Sequence, residues 1–349
     1  MPRRRTCANK SGRKAPPTAS PARDLGPAGI ANRLPHSPSH SLPTPRLNRA
    51  AARFAVSSDP FRDNTVSMKF PLFRLAVVVT LLGALPGGSR AAATKPPNIV
   101  VFLADDLGWG DLGSYRHPLI QTPNLDAFAK QGVRLTQCYA ASAVCSPSRS
   151  AILTGRTPYR NGVFTWIPEG RDLHLRTSEI ALPKLLKTRG YATCHVGKWH
   201  LNSHFNQPTH PQPNDHGYDW WLATQNNAAP SHEPPANFVP NGQPVGRGED
   251  YSAPFIVKEA VTWLKQHRDQ SKPFLLSVWA HEPHYPIKSA PEFKARYPDL
   301  TDDVHREHHA NVTQLDHAFG QLMRALDELQ LADDTFVIFT SDNGPEGDG

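Results

Sequence analysis

The chain has 349 residues, enough for one large domain or two ordinary ones with ample material for a hydrophobic core. Its formal net charge of +7 is concentrated near the beginning. Residues 1–67 carry 12 Lys and Arg against 3 Asp and Glu, whereas residues 94–349 carry 23 basic and 28 acidic residues. This distribution argues against nucleic acid as a partner, because the excess of basic charge lies outside the predicted globular region.

The first 93 residues fall into two segments. Residues 1–67 are rich in Pro, Ser, Ala and Arg with hardly any apolar periodicity, so we expect them to be disordered. Residues 68–93 have a charged start, an apolar run over 75–85 and small residues up to Ala93, which is typical of a secretory signal peptide. We expect translation to begin at Met68, with 1–67 as an upstream extension of the reading frame, and cleavage near Ala93 to give an exported protein, periplasmic or secreted. A membrane anchor is disfavoured because the apolar run is too short to span a bilayer.

A continuous apolar run over 98–104 predicts a strand that is buried on both faces. It ends in Asp105 and Asp106, and the glycine-containing loop 107–111 follows. Paired carboxylates are often only a solvated turn, but the carboxyl end of a buried strand is where an open α/β sheet presents ligands. We therefore predict a metal site there.

Cys145 is followed by Pro147 and Arg149, at the predicted start of a helix. A helix N-terminus and a nearby arginine favour a thiolate, so these residues alone indicate a nucleophile of low pKa, as in a cysteine phosphatase. An ordinary structural cysteine is the second interpretation. Of the other cysteines, Cys138 and Cys194 form either a disulfide or two separate buried thiols.

The rest of the chain alternates between helical and strand patterns. Helices are predicted over 122–132, 177–190, 255–267 and 307–329, and strands over 191–196, 274–280 and 335–340. Residues 202–250 are rich in Pro, Asn, His and Gly and are expected to form loops over the site that determine substrate specificity. The alternation predicts an α/β fold.

Each later strand is followed by polar residues. The strand over 191–196 leads to Lys198 and His200, the strand over 274–280 leads to His281 and His284, and the last strand leads to Asp342 and Asn343. An isolated Lys or His is most often a surface residue, and paired histidines can also be zinc ligands or part of a turn. Their shared position at strand ends favours one site.

Five phrases in this order resemble the formylglycine-dependent sulfatases: Asp-Asp-Leu-Gly-Trp-Gly-Asp at 105–111, Cys-Ser-Pro-Ser-Arg at 145–149 with Leu-Thr-Gly-Arg at 153–156, Gly-Lys-Trp-His at 197–200, Pro-His-Tyr-Pro at 283–286, and Ser-Asp-Asn-Gly at 341–344. Within this family, the phrases at 145–156 and 159–163 (Tyr-Arg-Asn-Gly-Val) most resemble the N-acetylgalactosamine-6-sulfatase and arylsulfatase A branch. The resemblance implies the alkaline-phosphatase-like α/β fold, with a large, mostly parallel mixed sheet between helices, and a catalytic domain over 94–349.

The resemblance also implies the chemistry. Cys145 would be oxidised to formylglycine by a maturation enzyme, and the hydrated aldehyde offers one oxygen to attack sulfur and a second to expel sulfate. Arg149 would stabilise this group, Lys198 and His284 would contact the sulfate, and His200 would act on the second hydroxyl, with His281 as a second substrate ligand. The implied metal ligands are Asp105, Asp106, the modified Cys145, Asp342 and Asn343. An all-oxygen set of this size suits one Ca²⁺.

The implied reaction is hydrolysis of a sulfate ester, on a sulfated carbohydrate or an aryl sulfate. Two alternatives remain open at this point: a phosphatase or phosphonate hydrolase of the same superfold, and a non-catalytic carbohydrate-binding relative. Related sulfatases carry a second lysine and a smaller C-terminal domain beyond the Asp-Asn pair. Because the sequence stops at Gly349, we expect a truncated or frameshifted product that is poorly soluble and weakly active or inactive.

Overall fold

The computed structural model of the chain describes residues 95–346. The predicted disordered segment 1–67 and the predicted signal peptide 68–93 lie outside the described residues. The strands are β1 (Asn98–Asp105), β2 (Ala192–Lys198), β3 (Trp220–Thr224), β4 (Val239–Pro240), β5 (Phe274–Pro283) and β6 (Thr335–Ser341). The α-helices are α1 (Pro123–Gln131), α2 (Cys145–Thr154), α3 (Pro158–Asn161), α4 (Leu182–Lys187), α5 (Ser252–Thr262), α6 (Pro291–Lys294) and α7 (Asp303–Glu328).

The six strands form one sheet in the order β4-β3-β2-β5-β1-β6. All neighbouring pairs are parallel except β3 with β4. The strands that the apolar runs predict therefore lie side by side, and β1 lies between β5 and β6. This is the mostly parallel mixed sheet that the sequence predicts, and since parallel strands end at the same edge, the polar residues that follow them converge.

Helices cover both faces of the sheet, as a sheet that is buried on both faces requires. On one face, α1, α5 and α7 pack on a large apolar core that includes Phe102 of β1 and Phe319 of α7. On the other face, α2 and α4 pack with loop residues on a second core, which includes Leu103 and Trp279. The two cores hold the strands in register and thereby fix the positions of their ends.

Two predicted elements differ from the structure. Only Leu182–Lys187 of the predicted helix 177–190 is helical, because Pro183 lies in the first turn of α4, where a proline begins a helix. The segment 202–250, predicted as loops, also contains β3 and β4. Trp220–Thr224 forms a strand because it pairs with β2 and buries Trp221 and Leu222.

Cys138 and Cys194 are free thiols, so no disulfide joins them. Cys194 is buried in β2, whereas Cys138 is exposed. Of the two interpretations of this pair, separate thiols is the correct one, but only Cys194 is buried as predicted. Within residues 95–346, no helix is both long and apolar enough to cross a membrane.

The α7 helix contributes several buried residues to the larger core, so we expect these residues to matter for stability. Phe319 is fully buried and its ring packs against those of Phe102, Phe128 and Phe339. We predict that Phe319→Ala lowers the free energy of unfolding by about 3–5 kcal/mol in urea denaturation. Phe336→Ala is the matched control, because Phe336 in β6 is 60% exposed, and its effect should stay within about 1 kcal/mol. Equal losses for both variants would contradict this arrangement of the core.

Candidate active site

Four adjacent strands deliver polar side chains to one edge of the sheet. The end of β1 carries Asp105 and Asp106, and the neighbouring end of β6 leads into Asp342 and Asn343, where the Asp342 amide donates to the carbonyl of Ala104 at 3.1 Å. β2 ends at Lys198, with His200 two residues later, and β5 carries His281 just before His284. The α2 helix begins at the same edge with Cys145 and places Arg149 one turn further on.

Arg149 is the centre of a fully buried ion network. Its Nη2 lies 2.8 Å from Asp342 Oδ2 and 3.1 Å from Asp105 Oδ1, and its Nη1 donates to the carbonyl of Lys198 at 2.8 Å. Lys198 Nζ lies 2.6 Å from Asp105 Oδ2. Burial opposes ionisation of Asp105, but Lys198 and Arg149 outweigh it and hold the pKa of Asp105 well below its usual value.

Cys145 is only 7% exposed and lies beside this network. Lys198 Nζ is 3.6 Å from its Sγ. Burial first, and then the charge of Asp105, raise the pKa of the thiol to about 12, even though Lys198 acts in the other direction. Cys145 is therefore a protonated thiol at neutral pH, which contradicts the interpretation of this residue as a thiolate nucleophile of low pKa.

The carboxylates at this edge suit a cation. Single ligand atoms of Asp105, Asp106, Cys145 and His284 all lie within 4.8 Å of one another. The two other predicted ligands touch this group: Asp342 Oδ1 accepts from the Asp106 amide at 3.2 Å, and Asn343 Nδ2 donates to Asp106 Oδ1.

Two observations show that the group lacks positive charge. Burial and then the charge of Asp105 raise the pKa of Asp106, and the same two causes raise the pKa of Asp342 to about 7. The amide oxygen Oδ1 of Asn343 is buried and has no hydrogen-bond partner among residues 95–346. An additional cation at this point would relieve the carboxylate repulsion and satisfy that oxygen, so the residues present fit a metal ion.

The three predicted histidines differ in their surroundings. His284 Nε2 lies 3.4 Å from Asp106 Oδ2, at the open side of the site. His200 Nε2 lies 3.1 Å from the carbonyl of Ile167, which fixes the hydrogen on Nε2. Its Nδ1 is therefore a free acceptor, and burial followed by Lys198 and Arg149 keeps the pKa of His200 well below its usual value.

His281 does not face the site in the way that a substrate ligand would. Both ring nitrogens are engaged, Nε2 with Thr224 Oγ1 at 2.8 Å and Nδ1 with Ser252 Oγ at 2.9 Å. The residue is also buried. These contacts do not support the prediction of His281 as a second substrate ligand, and they place it as a link between β5, β3 and α5.

Sequence reasoning missed two residues at the site. Asn227 Oδ1 lies 3.3 Å from Lys198 Nζ, and Glu346 Oε2 lies 3.7 Å from His284 Nε2. Asn227 falls in a stretch rich in Pro, Asn and Gly that carries no positional pattern, and Glu346 follows a Gly-Pro pair after the last strand. Neither residue has a local signal that could have identified it.

The family model for Sulfatase matches residues 97–349, so the chain belongs to the sulfatase family. It is 35% identical over 288 residues to human N-acetylgalactosamine-6-sulfatase and 35% identical over 299 residues to human arylsulfatase A. These alignments cover 74% and 76% of the chain, but 52% and 55% of the relatives. An ulvan-active sulfatase from Formosa agariphila is 33% identical over 307 residues, which are 81% of the chain and 58% of that protein. The chain thus spans about half the length of the curated relatives it matches.

Solved structures show the same fold. The crystal structure of Ps i-CgsB, also solved in complex with k-i-k-neocarrahexaose, has a TM-score of 0.67 and 29% identity, covering 72% of this chain and 59% of that one. A sulfatase from the glycosaminoglycan metabolism of Bacteroides thetaiotaomicron has a TM-score of 0.65 and 25% identity, covering 72% and 62%. The chain therefore has the fold of these sulfatase structures, a mostly parallel mixed sheet between helices.

The raised pKa of Cys145 predicts its reactivity. With iodoacetamide at pH 8, we expect the unconverted chain to be alkylated at the exposed Cys138 and to remain free at Cys145, because a thiol whose pKa is raised to about 12 forms almost no thiolate there. Peptide mass spectrometry of the native protein measures both sites, and Cys194, which is buried in β2, is the negative control. Alkylation of Cys145 at the rate of Cys138 would show instead that it is an activated cysteine nucleophile.

Proposed function

We propose that this chain is the catalytic part of a sulfatase that hydrolyses sulfate esters of carbohydrates through formylglycine at position 145 and one bound Ca²⁺. The observation that carries the proposal is the position of Cys145 beside Lys198 and the buried carboxylates, in a chain of the sulfatase family. The sulfated-sugar substrate is supported by relatives named for N-acetylgalactosamine-6-sulfate and ulvan and by the neocarrahexaose bound to a structural neighbour.

The state of Cys145 is the first part of the proposal. A buried thiol of raised pKa is a poor nucleophile at neutral pH, whereas a hydrated aldehyde at this position supplies two hydroxyl groups on one carbon. Because Cys145 is 7% exposed in the folded chain, the formylglycine-generating enzyme would have to act on the Cys-Ser-Pro-Ser-Arg segment before the site closes.

The metal ligands are the second part. Asp105, Asp106, Asp342 and Asn343 would hold the ion with an oxygen at position 145, and His284 lies at the margin of the same group. Carboxylate and amide oxygens select a hard cation, and a site of this many protein oxygens suits Ca²⁺ better than Mg²⁺, which retains waters. A bound Ca²⁺ would supply positive charge that polarises the sulfate oxygens.

The remaining side chains would act on substrate and protons. Lys198, held between Asp105 and Asn227, would bind a sulfate oxygen as negative charge develops, and Arg149 would keep the carboxylates in place beneath it. His284, at the open side, would donate a proton to the leaving alcohol. His200, neutral and with Nδ1 as a free acceptor, would take the proton that must leave position 145 when sulfate is released.

We also propose that the protein is exported. The support is the order of a charged start, an apolar run over 75–85 and small residues up to Ala93. N-terminal sequencing of exported material should begin just after Ala93. Residues 1–67 on the mature protein would refute this part of the proposal without touching the enzymatic part.

Conversion of Cys145 is the central prediction. Co-expression with a formylglycine-generating enzyme should give the Cys145 peptide the mass of the aldehyde, and the converted chain should release sulfate from a sulfated oligosaccharide. Cys145→Ala should lower this release to the uncatalysed background, because no other group supplies the attacking oxygen. Enzyme in excess of substrate makes even a slow reaction measurable.

The same preparation provides the controls. A matched phosphate monoester should react far more slowly than the sulfate ester. Faster cleavage of the phosphate ester would favour a phosphatase of the same fold. Retained glycan binding with an intact Cys145 thiol after co-expression would favour a non-catalytic carbohydrate-binding protein.

Calcium binding provides an independent prediction. Calorimetric titration of Ca²⁺ should show a single strong site that weakens at least roughly tenfold in Asp342→Ala and in Asp106→Asn. Asp342→Ala also removes a partner of Arg149 and so affects stability. Asp106 makes no ion pair with Arg149, so Asp106→Asn tests metal binding without leaving that buried cation unpaired. Asp333→Ala, at an exposed acid before β6, is the control that should bind normally.

The pH dependence has a defined direction. Because the pKa of Asp342 is raised to about 7, its carboxyl takes up a proton as the pH falls from 8 to 6, and the raised pKa of Asp106 favours protonation of that carboxyl as well. Ca²⁺ must displace these protons, so its affinity should fall over this range. Unchanged affinity in Asp342→Ala and Asp106→Asn would rule out the proposed ligands.

A further inference from the structure

A second group of side chains that could bind a metal ion consists of Asp172, His174 and His210, away from the carboxylates at the end of β1. The segment 171–175 runs antiparallel to 201–203: an isolated bridge pairs His174 with Asn202, and the amide of Leu175 donates to the carbonyl of Leu201 at 2.8 Å. This pairing places His174 beside His210, which belongs to the loop after Ser203. The sequence offers no metal motif here, because the ligands lie on two separate segments.

The geometry of the group fits one ion. Single ligand atoms of Asp172, His174 and His210 all lie within 4.8 Å of one another. His210 Nε2 is 3.1 Å from Asp172 Oδ1, and the rings of His174 and His210 have centroids 4.6 Å apart. Ligand atoms at about 2.1 Å from a tetrahedral Zn²⁺ are roughly 3.4 Å from each other, so only small side-chain movements would bring all three onto one ion.

Burial and hydrogen bonding leave part of this group unsatisfied. Nδ1 of His174 is buried and has no hydrogen-bond partner within the described part of the chain. A buried polar atom without a partner is costly, and a bound cation removes that cost. Access is open, because the side chain of Asp172 is 94% exposed.

We propose that Asp172, His174 and His210 form a binding site for a transition-metal ion, with Zn²⁺ as the ion that fits best and water as the remaining ligand. Two imidazoles and one carboxylate select borderline metals such as Zn²⁺ over Ca²⁺, in contrast to the oxygen-rich group around Asp106. The ion would join segment 171–175 to the loop that contains His210, a few residues after His200. Its role would be to fix this loop, and it takes no part in the chemistry.

Equilibrium dialysis of the full chain with Zn²⁺, in excess Ca²⁺ to keep the carboxylate group at Asp106 occupied, tests the proposal. The parent should bind one more Zn²⁺ than His210→Ala and His174→Ala. His267→Ala is the matched control, because His267 is an exposed histidine stacked on Trp220, away from the group, and should bind like the parent. With Co²⁺ in place of Zn²⁺, the visible absorption of a tetrahedral site should be present in the parent and absent in His210→Ala.

A third variant separates loss of binding from loss of folding. Asp172→Asn changes a side chain that is 94% exposed, so the fold is retained, and it should weaken Zn²⁺ binding at least roughly tenfold. Equal Zn²⁺ stoichiometry and affinity in the parent, His174→Ala and Asp172→Asn would overturn the proposal. The result would then leave the Asp172–His210 contact as a hydrogen bond between loops.

Discussion

The buried contact between Arg149 and the two carboxylates of Asp105 and Asp342 is the interaction on which the rest of the site depends. It joins α2 to the ends of β1 and β6, three elements that are far apart in the chain. Burying a cation costs several kcal/mol unless it is paired, so Arg149 can occupy this position only with both acids in place. Conversely, the carboxylates of Asp105, Asp106 and Asp342 repel one another at this edge. The charges of Arg149 and Lys198 balance them only in part. The network is therefore stable as a scaffold but has an excess of negative charge, which the proposed divalent cation would balance.

Backbone geometry imposes a second constraint beside this network. Gly197 immediately precedes Lys198 and has φ +110°, and a Cβ built on it would lie 1.8 Å from the carbonyl oxygen of Trp279 in β5. No side chain can be accommodated there without moving β2 away from β5. The close approach of these strands brings Lys198 to Asp105 on β1, one strand further across the sheet. The glycine of the Gly-Lys-Trp-His phrase is thus a requirement for the position of the lysine.

Much of this arrangement could be predicted because it depends on patterns between residues that are close in the sequence. Apolar runs identify β1, β2, β5 and β6, and parallel pairing then places the residues that follow them at one edge. What could not be predicted depends on contacts between distant segments. Trp220–Thr224 becomes a strand only because β2 is beside it. The contacts of both ring nitrogens of His281 with Thr224 and Ser252, which do not support its predicted role, likewise depend on distant segments. The thiol pKa of Cys145 is likewise a result of burial, which reverses the activation that a helix start and an arginine suggest from sequence.

The two proposed metal sites of this domain differ in their ligands and in the elements that hold them. At the end of β1 the proposed ligands are carboxylates and an amide beside a buried ion network, and this environment suits a hard cation. At the second proposed site the ligands are two imidazoles and one exposed carboxylate, on segment 171–175 and on the loop that contains His210. An ion at the first position would act on substrate, because Cys145 and Lys198 share its surroundings. An ion at the second would act on the loop, because its ligands join that loop to segment 171–175. The role of each proposed ion would therefore depend on whether it lies at the sheet edge beside Cys145 and Lys198, more than on the type of its ligands.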